Sequence, residues 1–469
     1  MKRSGRYSDS GKRSRKGDPT KAKVVGSSSS NRGKLHLSWD EDIASSSDED
    51  DTGKTEQSDS EDDINETAEQ KRIRIARSYL HDVEQGIDED EEDQDEEEEE
   101  NHYNNSTKVS AKLKRDRLEY QRKLLKEYSG LIEKKNMQDI PLTRLSGHDQ
   151  SVTTVSLSAD ATLLVSGSKD NAVIRHDIES GSKTYLIPRW KKDLGHSQHG
   201  EILATAISSD CKYVASGGKD KMVRIYDTRT NEEIKAFEGH RDSITSLCFK
   251  HDSHSLYSGS LDRCLKHWDL DEMGYLETLF GHQEGVYSVD IWNRDRPVSS
   301  SGDRTLRLWN TAADTHLVFR GHESSIDNVQ MITDDTFISG GQNGDLCLWK
   351  ETQKKCIATA TNAHGLEGSS STAKWISSLC AIKMSDVVLS GSNDGNLKFW
   401  SVRKREEDSK ATIREIKSLP IDGFINSIAV SNQIVAVGTG REHKYGRWCV
   451  EKGNKNKVYV FKLDVDVLG

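Results

Sequence analysis

Between residues 140 and 463 short apolar, β-branched runs alternate with clusters of Gly, Asp, Asn and Ser. The stretch 239–269, GHRDSITSLCFKHDSHSLYSGSLDRCLKHWD, shows the unit. Its run Ile244–Phe249 predicts a buried strand, Leu256–Ser260 a second and Cys264–Trp268 a third. Leu261-Asp262 makes the tight turn between the last two, where Asp is favoured because its carboxylate accepts hydrogen bonds from nearby backbone N–H groups. Asp170, Asp220, Asp303 and Asp394 recur at that point, and Asn343 stands there in one unit.

A second pattern sets the period. Gly-His or Ala-His pairs end at His148, His196, His240, His282, His322 and His364, and each is followed 27 to 36 residues later by His176-Asp177, Tyr226-Asp227, Trp268-Asp269, Trp309-Asn310, Trp349-Lys350 or Trp400-Ser401. From His196 to His364 the pairs recur every 40 to 44 residues. That spacing with a GH…WD signature predicts an all-β, seven-bladed WD-repeat β-propeller, each repeat being one four-stranded blade. The last blade lacks a Gly-His start and is read from Gly423–Val430, Val435–Gly440 and Lys457–Leu463. The extended segment Ile140–Leu145 is expected to pair with it, so that no sheet edge stays open.

The blades bring His, Asp and Ser together repeatedly, as a nucleophilic triad would. A catalytic site is one preorganised constellation, whereas this trio occurs in five or more blades. The expected role is structural: a buried network joining His148, His240, His282 and His322 to Asp170, Asp220, Asp262, Asp303 and Asp394, to a strand Ser, and to the indoles of Trp268, Trp309, Trp349 and Trp400. The chain is therefore read as no enzyme, with no cofactor and no small-molecule substrate.

Charge divides what precedes the propeller. Residues 1–39 carry a net +9 and residues 40–100 a net −23, so the overall −11 describes the tail. Residues 1–65 are expected to be a disordered tail, basic and then acidic, because so few apolar groups cannot offset ordering entropy. Lys2 and Arg3, followed by Lys12, Arg13, Arg15 and Lys16, fit a bipartite nuclear localisation signal. Residues 66–139 are expected to hold two short helices around an acidic linker. Glu66–Gln85 places Ile73, Ala76, Leu80 and Val83 on one face; Val109–Lys135 does so with Val109, Leu113, Tyr120, Leu124, Tyr128 and Leu131. Each helix either docks on the propeller or offers its stripe to a partner. Residues 464–469 form a C-terminal tail. No apolar run reaches membrane-spanning length. Seven scattered cysteines without a Cys-x-x-Cys pair point to reduced thiols and to no metal site.

Departures from the repeat carry the functional candidates, since loops on a rigid scaffold bind partners. One insertion holds Arg189, Lys191 and Lys192 beside Trp190; another, 440–457, holds Arg441, His443, Lys444 and Arg447 beside Tyr445 and Trp448. Cations interleaved with aromatics suit RNA, where ammonium and guanidinium groups meet phosphates and rings stack on unpaired bases. Arg241, after a Gly-His pair, either joins this set or pairs with Asp242. Trp448 either stacks or belongs to the blade core.

Segments outside the generic repeat resemble one family. Glu66-Thr67-Ala68-Glu69-Gln70-Lys71-Arg72-Ile73-Arg74-Ile75-Ala76, Ile187-Pro188-Arg189, Tyr275-Leu276-Glu277-Thr278-Leu279-Phe280-Gly281-His282-Gln283, Trp375-Ile376-Ser377-Ser378, Gly423-Phe424-Ile425-Asn426-Ser427 and Glu442-His443-x-x-Gly446-Arg447-Trp448 are similar to the WD-repeat subunit of the U3 small nucleolar ribonucleoprotein. The resemblance covers roughly Asn65 to Leu463. It implies a nucleolar protein that joins U3 small nucleolar RNA at its box B/C element. Implied partners are a small kink-turn-binding protein, other box C/D ribonucleoprotein subunits and the small-subunit processome. Two alternatives remain: a substrate receptor of a cullin ubiquitin ligase, through Tyr226-Asp227-Thr228-Arg229, and a chromatin or peptide-binding propeller.

Overall fold

The computed structural model describes residues 125–137, 140–188, 200–366, 372–404, 411–431, 433–447, 450 and 456–463, with the isolated positions Arg74, Arg77, Leu113 and Arg117, all four helical. Its strands form seven four-stranded antiparallel sheets. The innermost strands of blades 1 to 7 are Val152–Leu157, Ile202–Ile207, Ile244–Phe249, Val286–Asp290, Ile326–Met331, Ser378–Ala381 and Phe424–Ser431. In blades 1 to 6 the chain runs outward through consecutive strands; in blade 7 the order is Thr143–Leu145, Lys457–Lys462, Ile434–Gly440, Phe424–Ser431. The first strand thus closes the last blade, with Thr143 opposite Val460 and Leu145 opposite Val458.

Hydrophobicity falls from the axis outward. In blade 3 the second strand, Ser255–Ser260, is almost wholly buried, whereas the outer strand Gly274–Phe280 is largely exposed. Both faces of each sheet meet a neighbouring blade, so the core lies between blades: one apolar cluster joins Ala206, Tyr213 and Ile225 of blade 2 to Ile244, Leu256 and Trp268 of blade 3. Six inner strands carry a β-bulge near their first residues. A bulge re-aims one side chain out of the pleat, and in blades 1 and 3 that side chain ties the ring together. Thr153 donates to Ile202 O at 2.6 Å and Thr245 to Val286 O at 2.6 Å, each bridging to the next blade.

The second predicted helix differs in extent. Leu113 and Arg117 are helical, but 125–128 are not, and a separate helix spans Ser129–Lys134. Blade 6 causes the break. Lys126 exchanges backbone hydrogen bonds with the turn at Met384 and Asp386. The Asp386 carboxylate accepts the Tyr128 N–H at 2.8 Å, the Ser129 N–H at 3.2 Å and the Ser129 hydroxyl at 2.5 Å, restarting the helix from a side chain 257 residues away. Ile132, Met137 and Ile140 then pack among Val387, Phe399, Ile428 and Phe461 of blades 6 and 7. Of the two options for this segment, Ser129–Lys134 takes the docked one.

A pH-dependent clamp joins blades 2 and 3. His254 reaches Asp210 at 2.8 Å and Asp271 at 2.5 Å. The hydrogen bond to Asp271, against partial burial, raises the imidazole above its ordinary range. A raised folded-state value means that the stabilisation is complete below the unfolded histidine's pKa, about 6.5, and is lost as pH climbs through the folded one. His254→Gln is accordingly expected to destabilise by on the order of 0.5 kcal/mol in urea unfolding at pH 5.5 and less at pH 8.5; an equal loss at both would remove the clamp from the account.

Candidate nucleic-acid interface

The Gly-His turns and the Asp turns are fastened to each other. In blade 3, His240 Nδ1 meets Asp262 at 2.8 Å, and Ser258 Oγ takes both His240 Nε2 at 2.7 Å and the Trp268 indole N–H at 2.8 Å. Blade 4 repeats this with His282, Asp303, Ser299 and Trp309, and blade 6 with His364, Asp394, Ser390 and Trp400. Burial pushes the Asp262, Asp303 and Asp394 carboxyls up, but the His hydrogen bond, the nearby imidazole and bonds from neighbouring N–H groups together hold them below the usual carboxylate range. Both kinds of turn therefore lie on one face of the disc, here called the Gly-His face.

Three blades vary the pattern. In blade 1, His148 sits 3.3 Å from Asp170 and 2.9 Å from Ser166, with His176 in the Trp place. In blade 5, His322 bonds Ser339 at 2.7 Å and Trp349 does so at 2.8 Å, but its Nδ1 is left without a partner because Asn343 replaces the Asp. Burial pushes the His322 imidazole down to about 4. In blade 2 the Asp220 carboxylate pairs with Arg224 Nε at 3.2 Å, and His196, the histidine expected to complete its network, lies outside the described residues. Blade 2 has Tyr226 in the Trp place, and Arg224, four residues after Asp220, sets its guanidinium beside that carboxylate.

The insertion of blade 7 forms a plug over the axis on this same face. Lys169, on the Asp turn of blade 1, buries its ammonium against the carbonyls of His443 at 2.6 Å and Gly446 at 3.3 Å, and lies 3.5 Å from Glu442. Asn426, the bulge residue of blade 7, donates to Val152 O and Glu442 O and accepts the Lys444 N–H at 3.0 Å. The Tyr445 hydroxyl reaches across to Tyr287 O at 3.3 Å. The Lys444 ammonium faces the buried Asp327 carboxylate. Burial pushes Asp327 up to about 6 and Lys444 down to about 8, with each partner opposing the shift of the other. Tyr287 and Asp327 occupy the bulge positions of blades 4 and 5, where Thr153 and Thr245 tie blades together elsewhere. Beneath the plug a cavity of about 140 Å³ is lined by Thr154, Thr245, Tyr287, Asn328 and Lys444.

The candidates separate on this framework. His443 is corrected: its side chain is 1% exposed, with ring centroids 4.4 Å from Trp375, 5.3 Å from Phe424 and 5.5 Å from Tyr445. Burial drives it to about 2, so it is a neutral packing residue and not a phosphate contact. Lys444 turns toward the axis. Arg441 and Arg447 are exposed on the rim of the plug, Arg447 being 3.3 Å from Glu442. Arg241 is exposed on the Gly-His turn of blade 3; no ion pair joins it to Asp242 among the described residues, and Asp242 instead accepts the Ser243 N–H at 2.7 Å. Arg189, Lys191, Lys192, Trp448 and the basic cluster from Lys2 to Lys16 lie outside the described residues. Sequence reasoning missed Lys169, Asn426 and Trp375, which hold the plug; the pair Lys169-Asp170 reads as an ordinary turn until blade 7 is folded against it. The Tyr226-Asp227-Thr228-Arg229 box lies at the turn leaving the third strand, on the opposite face, with Tyr226 and Thr228 buried and Asp227 accepting the Arg229 N–H at 2.7 Å.

The comparisons agree with this architecture. The WD domain, G-beta repeat family matches residues 140–177, 191–227, 231–269, 274–310, 314–350 and 355–401, ranges that take in the closing strand of the seventh blade but not its three inner strands. The U3 snoRNP-associated protein-like EMB2271 of Arabidopsis thaliana is 30% identical over 92% of this chain and 93% of its own. The U3 small nucleolar RNA-interacting protein 2 of Homo sapiens is 34% identical over 85% and 83%. A solved structure of U3-55K is 36% identical and superposes with a TM-score of 0.64, covering 69% of this chain and 98% of that one. The chain belongs to the WD-repeat family of U3 small nucleolar RNA-interacting proteins.

Proposed function

We propose that the chain is a non-catalytic scaffold of the U3 small nucleolar ribonucleoprotein. It binds U3 RNA in its box B/C region beside a small kink-turn-binding protein and other box C/D subunits. It works in the nucleolus within the small-subunit processome, where it supports early pre-ribosomal RNA processing. The observation that carries this reading is kinship over nine-tenths of the chain with a protein described as U3 snoRNP-associated. The site supports it physically. Lys169 and Asn426 hold a rigid plug on the Gly-His face, and its exposed cations, Arg441 and Arg447, stand on the same face as Arg241. Fixed cations on a preorganised surface gain affinity for a phosphodiester through counterion release. The repeated His-Asp-Ser groups are consumed in fastening the turns of each blade, which leaves the chemistry of the particle to the RNA.

Isolation of the tagged chain from cells, with identification of the RNA and proteins that accompany it, tests the reading. Enrichment of one box C/D-type RNA of the U3 class is expected. A cullin adaptor recovered without RNA would replace this reading with the ligase one.

A further inference from the structure

The turn between the second and third strands places the residue after its Asp, or after Asn343 in blade 5, in left-handed backbone in every one of blades 1 to 6. The φ values are +64° at Asn171, +66° at Lys221, +71° at Arg263, +63° at Arg304, +74° at Gly344 and +69° at Gly395. Asn and Gly adopt this conformation at little cost, whereas a long side chain is strained in it. Blades 1, 5 and 6 use the tolerant residues. Blades 2, 3 and 4, which are consecutive, use Lys, Arg and Arg, all exposed. The carboxylate just before each cation is committed elsewhere: Asp220 to Arg224, Asp262 to His240 and Asp303 to His282. No ion pair is formed by Arg263 or Arg304 among the described residues, and the Lys221 ammonium donates to the carbonyl of Arg241 at 2.9 Å, drawing those two residues together. The Arg241 N–H donates to the Asp262 carboxylate at 3.0 Å, which sets Arg241 against the turn that carries Arg263.

An aromatic ring completes the arc. Strand register puts Phe280 opposite Cys264, the residue after Arg263, and Arg320 opposite Thr305, the residue after Arg304. Phe280 is 70% exposed, far above the other large apolar side chains of the outer strands, among which Tyr275 stands at 51%. Glu238 and Glu284 lie on the same connections, so the arc is a row of spaced cations and not a uniformly basic patch. Spaced cations around one exposed ring match a chain of phosphates carrying unstacked bases.

We infer that the Gly-His rim of blades 2 to 4 is a binding track for an unpaired RNA strand, with Lys221, Arg241, Arg263, Arg304 and Arg320 on phosphates and Phe280 stacked on a base. The inference deepens the RNA-scaffold reading and rests on it for the identity of the polymer. It is tested with the purified full chain and an unstructured oligouridylate, separately from any recovery of U3-class RNA from cells. The triple variant Lys221→Gly, Arg263→Gly and Arg304→Gly puts at each turn the residue that blades 5 and 6 already carry, so its thermal unfolding should be no lower than that of the parent. Its oligouridylate affinity should nevertheless fall, and the slope of log affinity against log salt should shrink by about 2, the value for three lost phosphate contacts on a single strand. Phe280→Ala should weaken binding roughly tenfold with the slope unchanged. Unaltered oligouridylate binding in the triple variant overturns the inference. So does loss of co-isolated protein partners with RNA binding intact, which would make the rim a protein-docking surface. Failure to recover U3-class RNA from cells, with oligouridylate results as expected, would instead count against the scaffold reading alone.

Discussion

Replacing Trp268 by alanine is expected to destabilise the propeller by about 3–5 kcal/mol, the range for truncating a large buried ring. Trp268 is 2% exposed and closes the cluster between blades 2 and 3, with its ring 5.0 Å from that of Phe237. The ring is only part of its role. Its indole N–H and the His240 Nε2 converge on one hydroxyl, Ser258 Oγ. Ser258→Ala removes almost no volume yet strands both nitrogens, and should cost about 1–3 kcal/mol through their unmet hydrogen bonding. His240→Ala should fall in the same range, because it strips Asp262 of the partner that holds its carboxylate charged. Chemical denaturation of the three variants checks this. If Ser258→Ala unfolds like the parent, the hydroxyl is not the hub and the polar network contributes little beyond packing.

The second large effect is expected at Lys169. Lys169→Met keeps the aliphatic stem but deletes an ammonium whose side chain is 3% exposed and which holds Glu442 and two carbonyls of the plug. Removing one partner of a buried charged pair costs about 3–5 kcal/mol, and here the loss is local to 441–447. Amide exchange of Lys444, Tyr445 and Gly446 should accelerate while blades 3 and 4 stay protected. Arg441 and Arg447 then lose their fixed positions, so RNA affinity should drop although no cation of the rim has been touched. Glu442→Gln in the same chain should recover part of the loss, since the carboxylate left behind is then neutral. Unchanged exchange in the single variant would show that the plug is held by Asn426 and its aromatic contacts alone.

The parts legible in the sequence are those that repeat. Strand alternation and the 40 to 44 residue period place the blades, and Ile140–Leu145 reads correctly as the closing segment, because each follows from local pattern or from the need to cover an edge. The illegible parts depend on a partner far along the chain. The helix expected over Val109–Lys135 breaks at 125–128 because Asp386 caps Ser129, which no local signal announces. His443 looks like one more member of a basic, aromatic loop. It turns inward because Trp375, on the connection from blade 5 into blade 6, and Phe424 of its own blade enclose it. Tyr287 and Asp327 look like ordinary inner-strand residues until the bulges aim them at the axis, where Tyr445 and Lys444 meet them. The turn cations fall between these cases. Lys-Asp-Lys, Leu-Asp-Arg and Gly-Asp-Arg are visible beside Lys-Asp-Asn and Asn-Asp-Gly, but their meaning needs the left-handed backbone at Lys221, Arg263 and Arg304.

An RNA of the U3 class is expected to lie on the Gly-His face. Ultraviolet cross-linking of the particle purified from cells, with mass spectrometry of nucleotide-bearing peptides and sequencing of the bound RNA, tests it most directly. Cross-links are expected in peptides carrying Arg241, Phe280 and Arg441 to Arg447, and the RNA should be of the U3 box C/D class. Cross-links confined to the opposite face, at the turns of Asp227 and Asp271, or RNA of no such class, would contradict the account.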